Sequence, residues 1–232
     1  MRVIAECGVN WRNFEEALLM IKKAKEAGCW AAKFQLFTEE VAPNLPKHLY
    51  LTHGQAEMLF DTGKHEVGIE VFFTPMFLEA VDWCEAIGVN YYKIRFKDRN
   101  NQELIDRIKQ TKKIYFISME LEDNPHFGHG YEQRKVLFCK PFYPCGISEY
   151  IFNNSIIFDG ISDHTKDLEL FKLTSKFSVL NTFEYFEKHV KLDDDCIESA
   201  WSVTFEELAE VLNNKNKKGG EKRKWALKKR KM

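Results

Sequence analysis

The chain has 232 residues, 44% hydrophobic and 30% charged, with a net charge of −1. That composition fits a globular protein the size of one α/β barrel or one large domain, and excludes a fibrous or wholly disordered chain. No apolar run approaches the roughly 18 residues of a membrane span, and the six cysteines (Cys7, Cys29, Cys84, Cys139, Cys145, Cys196) form no CxxC pair, so reduced thiols are expected instead of a disulfide framework or zinc cluster.

From the N-terminus, Met1-Arg2-Val3-Ile4-Ala5-Glu6 reads directly as a strand with no signal peptide ahead of it, and a cytoplasmic protein is expected. Strand-like runs follow in order: Val3–Glu6, Ala31–Gln35, Glu70–Thr74, Tyr91–Ile94, Lys113–Ser118, Lys135–Cys139, Ile156–Ile161 and Leu180–His189. Helical patterns fall between them at Phe14–Ala27, Gln55–Thr62, Leu78–Ile87, Gln102–Gln110 and Leu168–Lys176, with a last helix after Thr204, where Thr204-Phe205-Glu206-Glu207 is a capping box. In the first helix Ala17, Leu18, Ile21, Ala24 and Lys25 follow the i, i+3, i+4 stripe, Gly28 closes it, and the next strand starts within a few residues. Helix, glycine, short link and buried strand is the signature of a βαβ unit.

Two units are thin. Glu122-Asp123-Asn124-Pro125-His126-Phe127-Gly128-His129-Gly130 is loop chemistry, and only a short helix fits between Cys139 and Ser155. Eight strands with trimmed helices predict a compact (β/α)8 TIM barrel over residues 1–213; an open parallel sheet is the rival. Residues 214–232 read as a basic, disordered tail. Lys215 to Met232 carries ten Lys or Arg against the single acid Glu221, so a body near −10 bears a tail near +9.

Histidines follow two late strand-like runs, in Gly160-Ile161-Ser162-Asp163-His164 and Glu187-Lys188-His189. On neighbouring parallel strands both imidazoles would emerge at one end of the sheet, a geometry suited to two nitrogen ligands on a divalent metal; the plainer reading is two ordinary strand-end histidines. Barrel sites form where strands end. Those ends supply Glu6, Lys33, Gln35, Thr74, Lys93, Asp98, Ser118, Tyr143, Ser162, Asp163, His164, Glu187 and His189. Lysines at buried strand ends imply an anionic ligand, or else pairing with Glu6, Glu187 or Asp163.

These pieces resemble the sialic acid (N-acetylneuraminate) synthase family. The likeness is carried in order by Ala5-Glu6, Gly8-Val9-Asn10, Ala24-Lys25-Glu26-Ala27-Gly28, Lys33-Phe34-Gln35, Gly68-Ile69-Glu70 and Phe73-Thr74-Pro75. It continues with Tyr92-Lys93-Ile94, Tyr143-Pro144, Gly160-Ile161-Ser162-Asp163-His164, Glu187-Lys188-His189 and Leu192-Asp193. The resemblance implies a metal-dependent (β/α)8 barrel that condenses phosphoenolpyruvate with an N-acylhexosamine or related aldehyde. It implies that His164 and His189 hold Mn2+ (or Mg2+ or Co2+), and that Lys33, Thr74, Lys93, Ser118 and Ser162 hold the phosphate and carboxylate of phosphoenolpyruvate. Gln35 and Tyr143 match acceptor-pocket residues, Glu6 matches an acid near the centre, and Asp98 falls where a glutamate handles the attacking water. Asp163 and Glu187 flank these positions, and Glu198 matches an acceptor-side aspartate.

The sequence also departs from the family. Arg95-Phe96-Lys97 replaces an Ala-Ser-Gly turn; the two cations suit a phosphate, whereas Phe96 cannot donate the serine's hydrogen bond. Ser118-Met119-Glu120 replaces Ser-Thr-Gly, Pro141 replaces a polar residue, and Trp11-Arg12-Asn13 replaces His-Asn-Gly. A short family member is expected, with the basic tail standing where the family has a C-terminal antifreeze-like domain. Three readings of that tail stand: a solvated segment, a contact to nucleic-acid phosphates or another acidic surface, or docking on the acidic barrel. A homodimer is expected from the resemblance. The functional alternatives are a metal- and anion-binding barrel with aldolase or lyase chemistry, and a catalytically degenerate binding protein.

Overall fold

Parallel strands covered by helices on one side and filled by side chains on the other must be apolar outward, while the inward face is free to vary. The computed structural model, which describes residues 1–123, 133–150, 158–176 and 183–213, follows that rule. Strands β1 (Arg2–Gly8), β2 (Ala31–Leu36), β3 (Glu70–Pro75), β4 (Tyr91–Ile94), β5 (Ile114–Met119), β6 (Arg134–Cys139), β7 (Gly160–Asp163) and β8 (Tyr185–Lys191) pair in sequence order, all parallel. β8 returns to β1, with Ile4 opposite Glu187 and Glu6 opposite His189. That ladder closes a (β/α)8 barrel and excludes the open sheet. A short β9 (Val203–Thr204) extends from β8.

The outer layer holds α1 (Phe14–Ala27), α2 (His53–Asp61), α3 (Leu78–Ile87), α4 (Gln102–Gln110), α5 (Glu169–Lys176) and α6 (205–213). Asn13 caps α1 by accepting from the Glu16 amide at 2.9 Å, and Gly28 ends it at φ 89°. At the start of α6 Thr204 and Glu207 form the expected capping box, with amide–side-chain contacts of 2.8 and 3.2 Å. Among the described residues no helix is long and apolar enough to cross a membrane.

Three elements differ from expectation. The second helix begins at His53, capped by Thr52 and Gln55, and runs on through a π turn over Thr62–Val67. The seventh strand spans Gly160–Asp163 instead of Ile156–Ile161, because ladder pairing starts with Gly160 between Leu137 and Tyr185. Asp159, ahead of it, accepts from the Val136 amide at 2.7 Å, and Phe158 stacks on Phe138. The eighth strand starts at Tyr185 and continues past His189 to Lys191; residues 180–182 of the expected strand, like 156–157 and the tail 214–232, lie outside the described residues.

Alternate residues share a strand face, so the barrel interior is read in steps of two. Its floor is Ile4, Ala31, Phe72, Phe116, Leu137 and Tyr185, with Tyr91 and Trp30 packed against them. Two residues further along the eight strands stand Glu6, Lys33, Thr74, Lys93, Ser118, Cys139, Ser162 and Glu187, all buried. The apolar floor therefore gives way to a polar tier in one step on every strand.

Candidate active site

That polar tier forms the base of a cavity of about 570 Å³. Lys33 makes its shortest ion pair with Glu6, lies 3.7 Å from Glu187 and donates to Thr74 Oγ1 at 3.1 Å. Lys93 donates to Ser118 Oγ at 2.7 Å and lies 3.5 Å from the other Glu187 oxygen. Ser162 donates to Glu187 Oε1 at 2.7 Å. Burial and the neighbouring Lys93 charge bring the Lys33 ammonium down to about 8, with Glu187 opposing both. Burial disfavours the Glu187 carboxylate, yet attraction to Lys33 and Lys93 and the Ser162 hydroxyl hold it at about 2. It stays ionised as the centre of the lysine pair. Beside it, burial pushes the Cys139 thiol up to about 12, so this interior cysteine is protonated.

The next step of two along β2, β7 and β8 brings Gln35, His164 and His189 to the cavity. Gln35 donates to Glu6 at 3.2 Å. His164 is fixed on three sides: its amide donates to the Tyr150 hydroxyl at 3.1 Å, its carbonyl accepts from Cys145 at 3.0 Å, and its Nδ1 lies 2.8 Å from the Lys140 carbonyl. Burial, then repulsion from His189, holds the His164 imidazole well below the usual histidine range. A neutral ring with Nδ1–H on a carbonyl leaves Nε2 as the lone-pair donor. The two rings lie 5.3 Å apart, and His189 Nδ1 is 2.9 Å from Glu198 Oε2, so the contact to Glu198 is made by Nδ1 and not by Nε2.

Glu198 comes from the loop after β8. Asn10 organises that loop, accepting from the Glu198 amide at 3.0 Å while donating to Val190 O at 2.8 Å and Ser202 Oγ at 2.9 Å. Gly8, at φ +46°, makes room: a Cβ there would sit 2.6 Å from Glu198 Oε2. Tyr143 lies over His164 at 4.2 Å between ring centres and meets Trp201 at 5.4 Å, giving the mouth an aromatic wall.

Twelve of the fourteen residues singled out from the sequence line this one cavity: Glu6, Lys33, Gln35, Thr74, Lys93, Ser118, Tyr143, Ser162, His164, Glu187, His189 and Glu198. Two do not. Asp163, expected to bind substrate, points to the outer face of β7 by strand parity, fully buried 3.2 Å from Lys188. Asp98, expected to handle water, is paired with Arg95 and does not line the cavity. The structure adds Arg95, Phe96, Lys97, Arg99, Cys139, Pro141 and Trp201 to the walls. The odd turn after Lys93 signalled the first three; nothing in local sequence marked Arg99 or Trp201.

Among the described residues no three His, Cys, Asp or Glu side chains gather as a closed metal set. Two imidazoles, each with its Nδ1 held against an oxygen of Lys140 or Glu198, nevertheless fit a divalent ion that keeps positions for water or substrate oxygens.

The chain and its fold match known proteins. The NeuB family model matches residues 39–222, and the chain belongs to that family. It is 24% identical over 250 aligned positions to pseudaminic acid synthase of Campylobacter jejuni, covering 91% of this chain and 71% of that protein. It is 28% identical over 243 positions to an uncharacterized protein of Methanocaldococcus jannaschii, covering 91% and 69%. The crystal structure of the N-acetylneuraminic acid synthetase of Leptospira borgpetersenii superposes with a TM-score of 0.80 at 24% identity, over 93% of this chain and 82% of that one. The fold is thus that of the sialic and pseudaminic acid synthases, a sugar-condensing class.

Proposed function

We propose that this chain is a metal-dependent synthase that joins phosphoenolpyruvate to an N-acylhexosamine or related aldose, giving a sialic-acid-like nonulosonic acid and phosphate. One observation carries the reading: two buried lysines with three hydroxyls share a cavity with two histidines whose Nε2 atoms have no partner among the described residues. Family membership supports it, as does the likeness to a pseudaminic acid synthase.

In this reading Lys33 and Lys93 neutralise the donor's anionic groups, and Thr74, Ser118 and Ser162 turn their hydroxyls to its oxygens. Glu187 holds both ammonium groups toward the cavity axis. Gln35, Tyr143 and Glu198 orient the acceptor. His164 and His189 would hold a divalent ion, manganese by expectation, which supplies Lewis acidity to the acceptor's carbonyl oxygen. The enol carbon forms the new C–C bond with the carbonyl carbon, whose oxygen becomes a hydroxyl. Water adds to the carbon left electron-poor, and phosphate leaves with the bridging oxygen. The proton of that water needs a carboxylate; Asp98 does not line the cavity, and of the three that do, Glu6 and Glu187 are ion-paired to lysines, which leaves Glu198 as the candidate.

Phosphate release from phosphoenolpyruvate, measured with Mn2+ and a panel of N-acylhexosamines and pentoses, tests the proposal. Acceptor-dependent release that falls at least about a hundredfold in His189→Ala is expected, by analogy with losses at metal ligands and their partners. Release absent with every acceptor while Mn2+ still binds would favour aldolase or lyase chemistry; absence of both would favour a binding protein.

A further inference from the structure

The charges at the base of the cavity compensate one another. Lys33 and Lys93 face Glu6 and Glu187, so the inner tier holds equal numbers of cations and carboxylates. The surplus lies higher, on the turn that follows β4, where Arg95, Lys97 and Arg99 all line the cavity.

The two arginines of this turn are held in place. Arg95 pairs through Nε with Asp98 Oδ2, and its Nη2 lies 3.4 Å from Oδ1. Arg99 Nε lies 2.9 Å from both Asp123 oxygens, its Nη1 donates to the Phe96 carbonyl at 3.1 Å, and its guanidinium sits 3.7 Å from the centre of the Phe96 ring. Each fork is thus anchored along one edge, and among the described residues Arg95 Nη1 and Arg99 Nη2 have no hydrogen-bond partner and can serve a ligand. Lys97, exposed between them, has no hydrogen-bond or ion-pair partner among the described residues. A fixed guanidinium loses little freedom on binding and matches phosphate oxygens with parallel N–H groups. The ring of Phe96 replaces a serine's hydrogen bond with a platform for Arg99.

We propose that Arg95, Lys97 and Arg99 form a phosphomonoester subsite at the mouth of the cavity, with Asp98 and Asp123 aiming its two guanidiniums. Three cations suit the dianionic charge and three free oxygens of such a group better than a carboxylate. Lys93 and Arg95 share a barrel face, about 7 Å apart along the strand, so a small ligand can meet both. This rests on the proposed function for the ligand's identity: the phosphate belongs to phosphoenolpyruvate or, if the acceptor is phosphorylated, to the sugar.

Calorimetric titration of the full chain distinguishes these cases. The probes are phosphoenolpyruvate, pyruvate, a hexosamine 6-phosphate and its unphosphorylated form, each with wild type, Arg95→Gln/Lys97→Gln and Arg99→Gln. Phosphoenolpyruvate affinity should fall about tenfold or more in both variants, as expected when charge-assisted hydrogen bonds are lost, while pyruvate affinity stays within about twofold. The same loss confined to the sugar phosphate would also support the subsite and assign it to the acceptor. Wild type that fails to bind phosphoenolpyruvate, with sugar-phosphate binding still dependent on Arg95 and Lys97, would overturn the donor proposed above and leave the subsite standing. Phosphoenolpyruvate and sugar phosphate bound equally by wild type and variants, or by none of them, would overturn the subsite. Unchanged melting temperatures confirm that the variants are folded.

Discussion

Lys188 and Asp163 sit one residue away from site residues on adjacent strands, yet both face outward and both are wholly shielded from water. Lys188 donates to the Thr165 carbonyl and lies 3.2 Å from Asp163 Oδ2, while Asp163 Oδ1 accepts from the Thr165 amide at 2.7 Å. Burial holds the Lys188 ammonium below its usual range even with Asp163 opposing that effect. Removing one partner strands the other charge in the layer between barrel and helices. Lys188→Met is therefore expected to lower stability by about 3–5 kcal/mol, and adding Asp163→Asn should return part of it; urea unfolding of the two variants checks this. An equal loss in both would mean that the two charges do not interact. The motif Ser162-Asp163-His164 advertised three polar side chains, and parity sorts them: Ser162 and His164 inward, Asp163 outward. Parity was not legible because the strand was expected to end at Ile161, which left the facing of the residues after it undefined.

At the scale of elements, the helix–glycine–strand units were legible because each signal is local. The stripe of α1 with its αL closure at Gly28, the αL closure of α3 at Gly88 and the box at Thr204 are each carried by residues a few positions apart. Strand limits are set by neighbours instead. Phe158 and Asp159 end an apolar run that resembles a strand, but among the described residues pairing begins at Gly160, where β6, β7 and β8 converge. A Cβ at Gly160 would meet the Tyr185 carbonyl oxygen at 2.3 Å, a contact that backbone must relieve by moving. Gly160→Ala is expected to cost about 1–3 kcal/mol, in the range of overpacked cores, and the melting temperature reports it. Because β7 leads into His164 and β8 carries His189, Mn2+ affinity should weaken in the same variant. A normal melting temperature with normal Mn2+ affinity would show that the strands separate without disturbing the histidines.

Across the whole molecule, acidity is arranged so that the described cavity stays cationic, with five cations and three carboxylates on its walls. The same interior imposes a pH dependence on folding. His164 is buried beside His189 and surrounded by groups that shield it from water, so its folded pKa lies well below 6.5, whereas in the unfolded chain it returns to about 6.5. Above that value both states are neutral at this residue and stability does not depend on it. As pH falls below 6.5 the unfolded state takes up a proton that the folded state refuses, so ΔG of unfolding declines with a slope of up to about 1.4 kcal/mol per pH unit until the folded pKa is reached. Urea unfolding between pH 8 and 5, without added divalent metal, should therefore be flat at the alkaline end and fall on the acid side. His164→Gln removes the titrating ring and should flatten that fall by up to the same slope. A wild-type profile that His164→Gln leaves unchanged would mean that the folded protein protonates this imidazole freely. A ring so protonated would carry no free lone pair at Nε2, and the two-histidine metal site would fail with it.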